Sequence, residues 1–205
     1  MNLIDPVLAE LAHEAATTRR LLDRVPERHL AWKPHEKSMT LGRLATHIAE
    51  IPGWVGSIVE KDEFDVGTGG YVPPTIDRVP EIVAMFDRNV AAATETLKRQ
   101  SNDRLLAKWQ LKRKGQLVVE MPRLGMIRSL LMNHLIHHRG QLSVYLRLQN
   151  VPFRRSTDRQ RTSRCRYQAA EKGPSAALAR LGTRCDVPPV RLARPAPNRL
   201  AVGPF

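Results

Sequence analysis

The stretch from Arg123 to Gln149 constrains this chain most, because it sets Ile127, Leu131, His134, His138, Leu142 and Tyr145 along one side of a helix. An apolar stripe of that length has to be covered by other elements, so the segment predicts a long core helix with two imidazoles on its buried face. Three further segments carry the same period. Residues 5–23 place Asp5 as N-cap, Pro6 at the first helical position, and Leu8, Leu11, Ala15 and Leu22 on one face. After a polar connection marked by Pro26 and Pro34, Thr40 is expected to cap a second helix whose stripe is Leu44, Ile48, Ile51, Val55 and Ile58, kinked at Pro52. Pro80 opens a third helix, with Ile82, Val83, Phe86, Val90, Ala93 and Leu97 in phase before Ser101, Asn102 and Asp103 interrupt it.

The connections differ greatly in length. Residues 62–78 combine acids, glycines and prolines without periodicity and read as a long surface loop. Residues 107–121 alternate loosely around Lys114-Gly115, which suits a small hairpin or an extended crossover. Four amphipathic helices with such unequal links predict an all-α fold, a four-helix bundle with a long crossover connection.

Charge divides the chain in two. Residues 1–152 hold 21 Lys and Arg against 17 Asp and Glu, a net +4, whereas residues 153–205 hold 12 against 3, a net +9. Most of the overall +13 therefore belongs to a Pro- and Arg-rich tail that lacks apolar periodicity and is expected to be disordered. Both cysteines, Cys165 and Cys185, also lie in the tail, which removes a cysteine nucleophile, a disulfide and a thiolate metal site from residues 1–152. With no apolar run long enough to span a bilayer and no basic, apolar leader at the N-terminus, the expected location is the cytoplasm, away from membranes.

The histidines carry the chemistry. His134 and His138 are four residues apart, so their rings project from one helix face about a turn from each other, as a two-pronged metal clamp requires. An isolated pair of this spacing also fits ordinary surface or core histidines. Here, however, both lie between Leu131 and Leu142 on the inward stripe, where an unpartnered imidazole is costly to bury, and His47 occupies the equivalent inward position between Leu44 and Ile51. Three neutral imidazoles leave open positions on a divalent ion, the arrangement of a reactive site in which a metal-bound water or thiol is the nucleophile. Nickel or zinc suits an all-imidazole set, with iron or manganese also compatible. His137 points about 100 degrees away from His138, and His13, His29 and His35 lie in polar surroundings where solvation is the expected role.

The segments MTLGRLATHIAEIPGW (39–54) and RSLLMNHLIHHRGQLSVYLRLQNVP (128–152), with the lead-in WKPHEKS (32–38), resemble the DinB family over residues 1–152. The resemblance implies a DinB/YfiT-like four-helix bundle, often a homodimer, with one divalent metal ion on His47, His134 and His138. It also implies a small-molecule substrate, since such proteins include thiol S-transferases and maleylpyruvate isomerase-type enzymes that use a low-molecular-weight thiol. Metal-dependent thiol transfer or hydrolysis is the leading expectation. The alternatives are a non-enzymatic, stress-responsive metal-binding protein and, further back, nucleic-acid binding through the basic tail. Trp54 and the 62–78 loop are candidates for a pocket wall, Arg139 or Arg147 for holding a substrate carboxylate, and Gln141 for orienting a ligand from outside the coordination sphere, each with an ordinary packing role as the competing reading.

Members of that family commonly end soon after Val-Pro with a segment such as Pro-Ser-Ile-Tyr-Gly-Pro-Thr-Ala-Asp-Glu, whereas Val151-Pro152 leads here into Phe-Arg-Arg-Ser-Thr-Asp. Codons exist for Phe153–Ser163 that spell that usual ending when read from the third base, so residues 153–205 are expected to be the out-of-frame product of a frameshift or of a sequencing error. Sequencing the locus should return codons compatible with the shifted reading; an incompatible set leaves a genuine basic tail.

Overall fold

The structure is a computed structural model that describes residues 2–67 and 72–152. The expectations of a disordered or frameshifted tail concern residues outside these. Four long helical stretches account for most of the described chain. The first is α1 (Ile4–Leu22), which buries Ile4, Leu11, Ala15, Thr18 and Leu22. Asp5 sits inside its first turn and is not the N-cap, which falls on Leu3. The backbone amide of Leu3 donates instead to Asn102 Oδ1 at 2.9 Å, so the helix start is satisfied by a residue far along the chain, and Asp5 contributes through its charge near the positive end of the helix.

The second stretch is continuous but not uniform. It begins at α2 (Leu41–Glu50), where the Thr40 hydroxyl accepts from the Arg43 amide at 3.1 Å, tightens into a 3₁₀ turn (Ile51–Trp54) at Pro52, and resumes as α3 (Val55–Glu60). Proline removes one amide from the helical ladder, and the turn shifts phase there. The third long helix, α4 (Val79–Lys98), closes on this turn: Asn89 Nδ2 donates to the Ala49 carbonyl at 2.8 Å, and a Cβ at Gly53 would meet the Asn89 side chain at 3.3 Å. Glycine thus permits the approach that satisfies the Ala49 carbonyl.

After a short α5 (Asn102–Leu106) the chain forms strands, which corrects the all-α expectation. β2 (Lys108–Arg113) and β3 (Gln116–Pro122) make an antiparallel hairpin through Lys114-Gly115, both at positive φ, as a tight two-residue turn requires. The loop expected over 62–78 supplies a third strand, β1 (Glu63–Asp65), paired in parallel with β2 in the register Phe64↔Leu111. Asp65 fixes it by accepting from the amides of Lys114 and Gly115, each at 2.7 Å. A three-residue strand has too few positions to reveal a two-residue period, and its partner lies more than forty residues away, which is why periodicity overlooked it.

The last stretch runs through α6 (Arg123–Met126), a π-helical segment (Ile127–Asn133) and α7 (His134–Leu148). α1 packs against α4 and α7, and α2 against the same two helices, around one core of aliphatic residues with Phe86 and Trp109. Two arginines hold the end of α3, and the second also reaches β2. Arg104 donates from Nε to the Val59 carbonyl at 2.8 Å, and the buried Arg123 donates to the carbonyls of Lys108 at 2.7 Å and Lys61 at 3.0 Å and pairs with Asp62 at 2.5 Å. They satisfy carbonyls at the C-terminal end of α3, where the helix cannot do so itself.

Removing Arg123 takes the donor from two carbonyls and empties the space filled by a fully buried side chain. Arg123→Ala should lower unfolding stability by about 3 kcal/mol, read from urea denaturation of the full-length protein.

Candidate metal centre

His47 comes from the inner face of α2, and His134 and His138 come from the first turns of α7. The π-helical segment ends at Asn133, so the widened turn delivers His134 directly as the regular helix resumes. Such segments recur at functional sites because they re-aim the side chains that follow them. The three rings converge: centroids are 5.2 Å apart for His47 and His134, and 4.6 Å for each of the other two pairs. One nitrogen of each ring lies within 4.8 Å of those of the other two, and this is a histidine group among the described residues able to hold a metal ion.

The ring nitrogens are sorted by their neighbours. Glu50 Oε2 lies 3.3 Å from His47 Nδ1 and also accepts from Arg43 Nη1 at 3.1 Å, while Gln141 Oε1 lies 2.7 Å from His138 Nδ1. Holding Nδ1 as the donor leaves Nε2 as the lone-pair nitrogen on both rings. His47 Nε2 stands 3.2 Å from His134 Nε2. Tetrahedral zinc with bonds of about 2.0–2.1 Å separates its ligand nitrogens by roughly 3.4 Å, so this spacing fits an ion between the two rings.

Burial is the main reason that His134 titrates low, its pKa pushed down to about 4, with the positive charge that His138, His47 and His137 would carry adding to the effect. His138 shifts the same way, again chiefly through burial and partly offset by Gln141. Both rings are therefore neutral near pH 7, the form that ligates a metal.

The outer surroundings divide between expected and unexpected residues. Trp54 meets both His47 and His134 at steep angles, with centroids at 5.5 Å and 5.3 Å. Together with Phe64, Val66 and Gly67 from the 62–78 segment it borders a cavity of about 700 Å³ onto which His47 and His134 open. Gln141 reaches His138 as the sequence suggested. Arg139 is engaged by Glu14 on α1, and Arg147 donates to the Ser143 carbonyl at 3.3 Å; neither borders the cavity. His137 is exposed, its ring edge-on to His138. Glu50 was missed, although a carboxylate one turn beyond His47 on the same face was visible in the sequence.

A family model described as DinB family matches residues 2–150. Two solved structures share the fold. A DinB-like protein from Bacillus subtilis aligns at a TM-score of 0.57 and 18% identity, covering 73% of this chain and 97% of its own. A DinB-like protein from Bacillus cereus aligns at a TM-score of 0.54 and 24% identity, covering 70% of this chain and 92% of its own. No curated protein matches the chain.

The low pKa of His134 fixes the sign of an acid effect. Unfolded histidine takes up a proton near pH 6.5 while folded His134 resists until about pH 4, so stability is full above pH 6.5 and is lost as pH falls through that window. Metal-free protein should unfold at lower urea at pH 5 than at pH 7, and His134→Gln should narrow the difference.

Proposed function

This chain belongs to the DinB family, and from that premise we propose that it is a divalent-metal enzyme of the thiol S-transferase or hydrolase kind, acting on a small molecule. The observation that carries the reading is the opening of His47 and His134 onto a cavity large enough for a drug-sized ligand. A metal held solely for stability has no need of such a space beside it. His47, His134 and His138 are the ligands, with zinc or nickel best suited to three imidazoles.

A divalent ion, when bound, supplies Lewis acidity that brings the pKa of a thiol or water toward neutral pH. The chain's own contribution is orientation and dryness. Glu50 and Gln141 hold the Nδ1 protons of His47 and His138, which keeps both Nε2 lone pairs directed inward. Arg43 donates from Nη1 to Glu50 Oε2 at 3.1 Å and holds that carboxylate in place. Trp54 covers the two open histidines on the cavity side and limits water around them.

The helical body is read here as the four-helix bundle of the family, with the small sheet inserted in its crossover. Family resemblance extends the reading to a cytoplasmic homodimer. Nucleic-acid binding has less support, because residues 1–152 carry only +4 and the histidine-lined cavity is their distinctive feature.

Purified protein should contain about one zinc or nickel per chain by elemental analysis, and His134→Ala and His138→Ala should each lose it. Glu50→Gln should keep the site but weaken metal affinity by roughly ten- to a hundredfold. Full metal content in either alanine variant overturns the ligand set. An ion that leaves only on unfolding, in a protein inactive across a thiol-conjugation screen, favours the non-enzymatic metal-binding reading.

A further inference from the structure

The cavity beside the histidines has a composition that selects its ligand. Apart from Ser57 and the two histidines it is lined mainly by aromatic and aliphatic groups, among them Ile58, Phe64, Trp109, Leu111 and Leu130, and among the described residues no Asp, Glu, Lys or Arg side chain takes part. Trp109 is buried, and its single donor, Nε1–H, is already given to the Ser57 carbonyl at 3.1 Å, so the indole offers the cavity only hydrocarbon surface. Lys114 lies with its stem against Gly67 and stays outside the lining. The cationic residues that could have received a carboxylate are committed elsewhere, Arg139 to Glu14, Arg43 to Glu50 and Arg123 to Asp62.

We propose that this cavity binds the uncharged aromatic or alkyl body of a small molecule, whose one polar reacting atom points at His47 and His134. The reason is the balance of desolvation. An apolar body gains by leaving water, whereas a carboxylate or phosphate set against the wall away from the histidines gives up its hydration and meets no compensating charge among the described lining residues. The polar end is confined to the side formed by the two histidines, which orients the ligand without a salt bridge. This deepens the function proposed above and rests on it for the polar end alone, since the apolar wall is built by residues that touch no metal.

The test uses the full-length protein, zinc-loaded and metal-free, with two matched thiols: phenylmethanethiol and 4-(mercaptomethyl)benzoate. Binding is read by calorimetry and by quenching of tryptophan fluorescence. The uncharged thiol should bind at least about tenfold more tightly than its carboxylate analogue. Leu130→Trp, which fills the cavity, should weaken the uncharged thiol by about tenfold or more with zinc content unchanged. Equal or tighter binding of the carboxylate by the unmodified protein overturns the proposal, and that comparison needs no variant to fold. If the protein fails to take up zinc yet still prefers the uncharged thiol, the metal reading falls and the cavity assignment stands.

Discussion

Three imidazoles occupy places where a helical core would ordinarily carry leucine, and the molecule around them is arranged to make that tolerable. A buried polar ring without a partner costs on the order of 1–3 kcal/mol, so each inward histidine demands something beside it. Glu50 and Gln141 answer on the outer nitrogens of His47 and His138, and Arg43 in turn secures Glu50. The inner nitrogens face one another. The same burial that imposes this cost also keeps His134 and His138 unprotonated, the form in which an imidazole can bind a metal ion.

The site is also a product of two irregularities in otherwise regular helices. Pro52 turns the second helical stretch through a 3₁₀ segment and brings Trp54 round beside His47, while Asn89 and Gly53 let α4 seal the gap. The π-helical segment before α7 performs the corresponding adjustment for His134. Two straight helices would have offered the same residues with a different aim. Between them the sheet closes one side of the space, fastened by Arg123, which donates to the carbonyls of Lys108 on β2 and of Lys61 after α3.

How much of this was legible follows from what each signal measures. Helical period reports burial of a face, and it located the long helices, the Thr40 cap, the break at Pro52 and the inward histidines, because each is decided within a few turns of chain. It could not find β1, whose pairing is chosen by a strand more than forty residues onward, nor the Asn102 cap on Leu3, which replaces the local cap expected of Asp5. The π-helical segment was hidden as well, since its sequence fits an α-helix equally well and only packing selects between them. Arg139 looked available for a substrate because a sequence lists charges without showing that Glu14 already claims this one.

The parallel pairing of β1 with β2 has a consequence for how the molecule comes together. Helices form from near neighbours in microseconds, but joining residues 63–65 to residues 110–112 must close a large loop before any hydrogen bond repays the lost chain entropy. The imidazole cluster needs a longer closure still, since His47 and His134 are 87 residues apart. Chamber and cluster thus both wait on distant parts of the chain, and neither can form from the local helices alone.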